Sequence, residues 1–431
     1  MTVRLPEDPR EADYEDLVAS CLLGLGFFIE TSLTLREETT EVLELDVVAT
    51  SAADPLNHSV LVDTKSGGGG GFKDVFKMFG WMTYLKMQRG LVIRSREIES
   101  GEVEAMARVA ARTNVEVLCF NPALDDVSSL PDAPISMPET VRNQLIASAW
   151  WGRIGQRVCL KAFRSFVRSS DSASAETARA YKLAVDNSFF ARTPLIRAKR
   201  LYSAYSDAPQ MTSLVVDDLA GGDADKARTV WDNARGSSAR QPVQYCMMLE
   251  NRARLGILKN ALLHVLQHET EGKTPDRARR RLIASILPES FQKGLAWLAS
   301  HPARMSVPLL MQVFIEVFGG FYQRGKPEEL DLLSTASGVP VDQVEDCLAA
   351  FDRLFPLDKG WFFEKDGLRQ MKAVPAIYRG TGAWLRKDLY DIEDYDDYSN
   401  GMGWLLDRWH NAIYGILEPE LGVDPGHKKA R

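Results

Sequence analysis

Asp63 and Lys65 stand two positions apart at the end of the apolar run 59–62. A β-strand alternates its side chains, so a carboxylate and an ammonium should point into the same space there. Asp46 lies near the end of a matching run, 42–48, just upstream. If the two runs pair as neighbouring strands about 4.8 Å apart, the carboxylates of Asp46 and Asp63 can hold one divalent cation between them.

These residue types are the minimum that metal-assisted hydrolysis of a phosphodiester requires. A divalent metal neutralises phosphate charge and lowers the pKa of a bound water. The Lys65 ammonium could position or deprotonate that water and stabilise the charge that develops. An isolated Asp-x-Lys on a strand is more often a surface ion pair, so the interpretation depends on Asp46 and on the elements around both aspartates.

The elements that must position these residues follow in a regular order. Apolar residues at helical spacing between Tyr14 and Leu25 predict an amphipathic first helix, with Glu15 beside the apolar stripe. The hydrophobic pattern then predicts strands at 27–35, 42–49 and 59–65, a helix at 72–88, a strand at 91–93, a helix at 103–112 and a strand at 115–120. This order predicts an α/β sandwich, in which helices flank a mixed sheet.

With these elements in place, the chain resembles the PD-(D/E)xK nuclease superfamily, and within it the Mrr-like restriction endonucleases. The stretches that carry the resemblance lie in roughly the first 120 residues, at 14–18 (YEDLV), 44–48 (ELDVV) and 61–65 (LVDTK). The resemblance implies a restriction-endonuclease-like domain that uses Mg²⁺ or Mn²⁺. It implies that Asp46 and Asp63 are metal ligands and that Lys65 is the catalytic lysine.

The resemblance also implies supporting roles. The Thr64 carbonyl would be a further metal ligand. Glu15 would assist the metal from the first helix, and Glu11, one turn earlier, is the alternative carboxylate. Some relatives carry a glutamine in the helix after the lysine, whereas this helix presents Lys73 and Lys77, which we expect to contact nucleic acid.

Charge is divided unevenly along the chain. Residues 1–130 carry 12 Lys and Arg against 22 Asp and Glu, residues 131–300 carry 25 against 16, and residues 301–431 carry 15 against 21. An acidic catalytic region suits a metal ion but repels nucleic acid. The basic middle region is therefore the part that we expect to bind nucleic acid.

A row of cations in the middle region is the candidate for phosphate contact. At about 100° per residue its members fall within an arc of roughly 80° on one predicted helix. They are Arg153, Arg157, Lys161, Arg164 and Arg168. Such a row could follow a phosphate backbone. The alternatives are a plain solvated face and docking onto the protein's own acidic first domain.

Breaks in composition divide the rest of the chain. A proline-bearing stretch at 122–138 predicts a linker between a nuclease domain at 1–121 and a helical, basic region at 139–325. Residues 326–375 could form a winged helix, and 376–431 a helical and acidic segment. The second helix of this winged helix is acidic, which favours a structural or protein-contact role over the reading of DNA grooves.

The composition limits the class of protein. Hydrophobic residues make up 45% of the chain, without an apolar N-terminal signal or an uncharged run of transmembrane length. We therefore expect a cytoplasmic protein without a membrane partner. The five scattered cysteines include no CxxC pair, which gives no support to a structural zinc site.

Together these features predict a Mg²⁺-dependent endonuclease. Double-stranded DNA is the expected substrate by resemblance alone, with defence against foreign DNA as the setting and DNA repair as the runner-up. The alternative from another class is a non-catalytic interaction or scaffold protein built on a nuclease fold. The C-terminal region could bind a protein partner or a second copy of the chain.

Overall fold

A computed structural model describes most of the chain. The described residues are 9, 11–37, 40–56, 58–67, 71–95, 100–121, 127–130, 133–170, 172–232, 241–272, 288–355, 362–365, 367–371, 374–390 and 403–421. The N-terminal part consists of α1 (Ala12–Gly24), β1 (Phe27–Glu37), β2 (Thr40–Ser51), β3 (Ser59–Lys65), α2 (Phe72–Leu85), β4 (Arg89–Arg94), α3 (Ser100–Thr113) and β5 (Val115–Cys119).

The five strands form one mixed sheet in the order β1-β2-β3-β4-β5. β2 is antiparallel to both β1 and β3, whereas β3, β4 and β5 run parallel to one another. Parallel neighbours require a long crossover, which α2 and α3 supply, while short connections are enough for the antiparallel strands. The predicted mixed sheet flanked by helices is confirmed.

Each face of the sheet has its own apolar layer. On one face Val47 and Val62 join α1 in the main core. On the other face Val48 and Leu61 pack with residues of α2 and α3. Because successive strand side chains point to opposite faces, a sheet covered on both sides needs almost continuous apolar runs. This explains why the strand sequences around the two aspartates show so little polar alternation.

The remainder of the chain is largely helical, as predicted. Its elements are α4 (Glu139–Ser169), α5 (Ala173–Ser188), α6 (Pro194–Ala220), α7 (Ala224–Asp232), α8 (Gln241–Thr270), α9 (Glu289–Ser300), α10 (Val307–Glu316), β6 (Phe321–Gln323), α11 (Pro327–Ser337), α12 (Val341–Leu354), β7 (Phe362–Lys365), β8 (Leu368–Met371), α13 (Ala376–Leu389) and α14 (Gly403–Leu421). Within the described ranges, none of the helices combines the length and the apolar character that a bilayer span requires.

The N-terminal part and the helical part pack on each other. α1 lies against α4. One cluster of buried side chains runs from Tyr14 on α1 through Trp150 on α4 to Leu417 on α14. The helical part therefore covers one side of the sheet and helps to bury it.

The stretch predicted as a linker, 122–138, is described in part, since 122–126 and 131–132 lie outside the described residues. Gly26 has a φ of 95° at the turn between α1 and β1. A Cβ added at Gly26 would stand 2.9 Å from the side chain of Ile135. This end of the stretch is thus packed tightly against the N-terminal part.

The region predicted as a winged helix contains two helices and a hairpin. Gly338, with a φ of 72°, separates α11 from α12, and β7 and β8 pair antiparallel after them. β6 completes a three-stranded sheet in the order β6-β8-β7. Asp342, Glu345 and Asp346 are exposed on α12, so this helix presents the acidic surface that the sequence indicated.

Polar side chains of the helical part cover the edge strand β1. Gln312 on α10 donates from Nε2 to the Ile29 carbonyl (2.7 Å) and accepts at Oε1 from the Ile29 N–H (2.8 Å). Arg252 on α8 donates to the Thr31 carbonyl at 2.8 Å. An uncovered edge would offer unpaired backbone groups to another chain. These contacts therefore close the sheet on this side and fix it to the helices.

We predict that Gln312→Leu lowers the free energy of unfolding by about 2–5 kcal/mol, because two buried backbone groups of Ile29 lose their partners. Urea denaturation measures the change. Lys293→Ala, which removes an exposed ion pair with Glu289 on α9, is the control and should leave the unfolding midpoint unchanged. Equal midpoints for Gln312→Leu and the wild type would contradict the role given to this edge contact.

Candidate active site

The pairing of β2 with β3 brings the two aspartates to the same end of neighbouring strands. In the antiparallel ladder Val47 pairs with Val62. Asp46 and Asp63 are the next residue on each strand, just past this last pair of the ladder. The two carboxyl groups are close enough that the charge of Asp63 raises the pKa of Asp46. The strand pairing that the predicted metal site requires is therefore present.

Asp63 is buried, with 1% of its side chain exposed, and two lysines neutralise it. Lys65 Nζ lies 2.6 Å from Asp63 Oδ2, as expected for neighbours on one strand face. Lys77 Nζ on α2 lies 3.4 Å from the other carboxylate oxygen, Oδ1. The sequence indicated Lys77 as a nucleic-acid contact and gave no sign that it reaches the candidate active site.

Asp46 is held by the residue between Asp63 and Lys65. Its Oδ2 accepts hydrogen bonds from the Thr64 N–H (2.8 Å) and the Thr64 hydroxyl (3.1 Å). The Thr64 carbonyl, the predicted third ligand, accepts from Lys65 Nζ at 3.3 Å. Burial and the charge of Asp63 raise the pKa of Asp46, and the Thr64 N–H opposes that rise.

Two contacts at its N-terminal end fix helix α1 beside the strand ends. The Tyr14 hydroxyl donates to the Phe120 carbonyl at 2.8 Å, just past β5. The Glu11 N–H donates to the Ser66 hydroxyl oxygen at 2.7 Å, just past β3. Because both partners follow strands of the sheet, α1 cannot slide along the sheet without losing both hydrogen bonds.

Glu15 of α1 faces Asp46. Burial raises the pKa of Glu15 to about 8, and the charge of Asp46 contributes to the rise. Glu11, the alternative helix carboxylate, lies at the exposed start of α1. The structure therefore brings Glu15, Asp46, Asp63 and Lys65 together.

Ser32 on β1 also lies at the candidate site, although no sequence pattern predicted it there. Its hydroxyl donates to Glu15 Oε1 at 3.3 Å. The residue lies between the pairs Thr31–Val47 and Leu33–Leu45, so it is level with Asp46, and its φ of 51° is in the left-handed region. Such conformations cost a non-glycine residue roughly 1 kcal/mol and cluster at functional sites.

The donor set fits a hard divalent cation. Two carboxylates, a carbonyl and a supporting glutamate are the oxygen ligands that Mg²⁺ and Mn²⁺ prefer. Within the described ranges, however, no three Asp, Glu, His or Cys side chains stand close enough to hold a metal ion as they are. Mg²⁺ uses one or two carboxylates and keeps several waters. Asp46 and Asp63 could thus suffice, with the cation competing against the lysines for Asp63.

The first two members of the predicted cation row are used inside the protein. Arg153 is 5% exposed and its Nη2 lies 3.5 Å from Glu316 Oε2, so its guanidinium does not face a surface that phosphate could reach. Arg157 lies 2.5 Å from Asp13 Oδ1 and 3.3 Å from Asp16 Oδ2 on α1. The contacts of Arg157 correspond to docking onto the acidic N-terminal part, the alternative that the sequence left open.

The other members of the row, Lys161, Arg164 and Arg168, are exposed and line a groove on the outer face of α4. At 1.5 Å rise per residue, Arg168 stands about 16 Å along the helix from Arg157. Lys73 is also exposed, on α2. The glycine run after Lys65 falls partly outside the described residues, at 68–70.

Comparison of the chain with models of protein families, with curated protein sequences and with solved structures found no match.

We predict that stability in metal-free buffer falls as the pH rises from about 4.5 to about 8, because unfolded Glu15 ionises near 4.5 while the folded residue keeps its proton up to about 8. The stabilising contribution is complete below the lower value and lost above the upper one. It is on the order of 5 kcal/mol. Urea unfolding across this range measures it.

Glu15→Gln should flatten much of this pH dependence, since an amide does not titrate. Asp16, whose pKa burial raises to about 6, would account for part of the remaining slope. Glu116→Gln, at an exposed position on β5, is the matched control and should keep the wild-type slope. An unchanged slope in Glu15→Gln would contradict the burial of a protonated glutamate here.

Proposed function

We propose that the protein is a metal-dependent nuclease that hydrolyses phosphodiester bonds. The observation that carries the proposal is the grouping of Asp46 and Asp63 at the end of the β2–β3 ladder, with Lys65 Nζ 2.6 Å from the Asp63 carboxylate. Glu15 adds a third carboxyl group from a different element. Carboxylates that are buried together against their mutual repulsion are more typical of a functional site than of a structural ion pair.

A bound Mg²⁺ or Mn²⁺ would neutralise phosphate charge and lower the pKa of the attacking water. Asp46, Asp63 and the Thr64 carbonyl are the groups that would hold it. Thr64 engages Oδ2 of Asp46, which leaves Oδ1 for the cation among the contacts that the structure describes. Lys65 would orient the water and stabilise the negative charge that develops on the phosphate.

The finer assignments also remain proposals. The N-terminal sheet would be a restriction-endonuclease-like fold, and DNA the substrate, because of the resemblance to Mrr-like nucleases. The same resemblance suggests defence against foreign DNA, with repair as the alternative. The order of elements from α10 through β6, α11, α12, β7 and β8 is that of a winged helix. Its acidic α12 suits contact with a protein better than contact with DNA.

We predict that Asp46→Ala, Asp63→Asn and Lys65→Ala each abolish Mg²⁺-dependent cleavage of plasmid DNA, because the three side chains act as one unit. Glu15→Gln should reduce the rate less, since Glu15 assists from outside the strand pair. Conversion of supercoiled plasmid to nicked and linear forms measures the activity, with EDTA as the metal-free comparison.

Glu116→Ala on β5 is the control for the loss of an acidic side chain far along the sheet, and it should cleave like the wild type. Each variant should also melt cooperatively, to separate loss of chemistry from loss of fold. Full activity of Asp46→Ala or Asp63→Asn would refute the site. A wild-type protein inert with both Mg²⁺ and Mn²⁺ would favour the scaffold alternative.

We predict that the exposed part of the α4 row contributes to duplex DNA affinity. If Lys161, Arg164 and Arg168 all meet phosphates, they account for a log-log salt slope of about −2.7. The double variant Arg164→Glu with Arg168→Glu should bind about equally weakly to unrelated sequences and make the slope shallower by about 1.8. Lys226→Glu, a charge reversal at an exposed site on α7, is the control.

Arg157→Glu should behave differently, because it breaks the ion pairs with Asp13 and Asp16. We expect a lower melting temperature without nucleic acid for this variant and an unchanged one for the double variant. If the double variant binds DNA with the wild-type salt dependence, the row is a solvated face and the contact lies elsewhere.

A further inference from the structure

Helix α2 carries a concentration of exposed aromatic side chains. Nine large hydrophobic side chains are exposed among the described residues, and four of them lie on this one helix. These four are Phe72, Phe76, Phe79 and Tyr84. Single exposed apolar residues are ordinary on a protein surface. A group of aromatic rings on one helix is not, and it indicates a binding surface.

The rings form a row with cations beside it. At about 100° per residue, Phe72, Phe76 and Phe79 fall within an arc of roughly 60°. Lys73 and Lys77 lie about 100° around the helix from the centre of this row. Both lysines are exposed. The outer surface of α2 therefore combines an aromatic row with a basic row.

The acidic residue of α2 does not oppose this charge. Asp74 is buried and accepts a hydrogen bond from the Gly71 N–H at 3.1 Å, which fixes the start of the helix. The exposed surface of α2 is consequently cationic. It is complementary to a polyanion and would repel a second copy of itself, because a two-fold contact brings like charges together.

The basic row leads to the candidate active site. Lys77 Nζ lies 3.4 Å from Asp63 Oδ1 and 4.1 Å from the centre of the Trp81 ring. A strand bound along α2 would have its backbone beside these lysines and close to the Asp46–Asp63 pair. The same helix would then hold the bases on one side and direct the phosphates on the other.

We propose that α2 is a stacking platform for the unpaired bases of a single-stranded nucleic acid. In a duplex each base face is covered by the next base pair, so an exposed row of rings can stack only on bases that are unpaired. Aromatic rings interleaved with cations are the means by which proteins bind single strands without sequence preference. The inference rests on the proposed nuclease function and adds single strands and unpaired ends to the substrates of that function.

The test measures binding without metal, so that it does not depend on cleavage. A fluorescein-labelled thymidine oligonucleotide of about 20 nucleotides exceeds the site size of one such platform. Fluorescence anisotropy in EDTA gives its Kd for the full-length protein and for Phe76→Leu and Phe76→Trp. Phe76 is 58% exposed, so neither change should affect folding, which thermal melting verifies.

Phe76→Leu keeps an apolar side chain but loses the π face, and it should weaken single-strand binding roughly 5- to 100-fold. Phe76→Trp should retain affinity within about twofold, because it restores a stacking ring. Leu214→Ala on α6 is the control for an exposed apolar residue elsewhere and should bind like the wild type. Binding of a duplex of equal length should be the same in all four proteins.

Equal single-strand affinity of Phe76→Leu and the wild type would overturn the platform. Sedimentation showing a wild-type dimer that Phe76→Leu separates, with oligonucleotide affinity unchanged, would also overturn it and assign the face to a second copy. Because the binding assay contains no metal, its result tests the stacking platform independently of the proposed nuclease activity. Ring-dependent binding in a protein that never cleaves would refute the nuclease and keep the platform.

Discussion

The candidate active site depends on the register in which β2 pairs with β3. A slip of one residue would turn Asp46 and Asp63 to opposite faces of the sheet. Since both faces are apolar, the hydrophobic pattern alone specifies that register weakly. Polar contacts supply the specificity: Thr64 donates twice to Asp46, and Ser59 donates to Thr50 at 3.4 Å further along the same pair of strands. The residue that would offer its carbonyl to a cation thus also holds the register.

Burying several carboxyl groups at one edge of the sheet costs free energy. Charged and polar neighbours in the rest of the fold offset that cost. Asp63 has two lysines, Asp46 has the Thr64 N–H, and Glu15 is placed where it keeps its proton until about pH 8. Behind them, Arg157 of α4 pairs with the acidic start of α1. The helical part is therefore an electrostatic counterpart of the sheet as well as an apolar cover for it.

The order of elements and the grouping of Asp46, Asp63 and Lys65 could be predicted because they depend on short-range patterns. The geometry of a strand fixes which side chains share a face, and two apolar runs in sequence indicate a pair of strands. The contact of Lys77 with Asp63 could not be predicted, since it depends on where α2 begins and how it crosses the sheet. No sequence pattern predicts the left-handed conformation of Ser32 either. Each of these features requires the packing of elements distant in sequence.

The positive charge of residues 131–300 is the clearest case in which the sequence prediction and the structure differ. The excess of cations in residues 131–300 indicated a nucleic-acid-binding region. In the structure, Arg153 and Lys259 face Glu316 and Glu30 inside the protein, so part of that excess neutralises the protein's own acids. Lys161, Arg164 and Arg168 on the outer face of α4 stay exposed, and outside this segment Lys73 and Lys77 add exposed cations on α2. Because Lys77 of α2 also neutralises Asp63, a phosphate that draws this lysine away would free the carboxylate for a cation. On the proposed function, binding of metal and of nucleic acid must then favour each other, as linkage requires for two ligands that release the same contact.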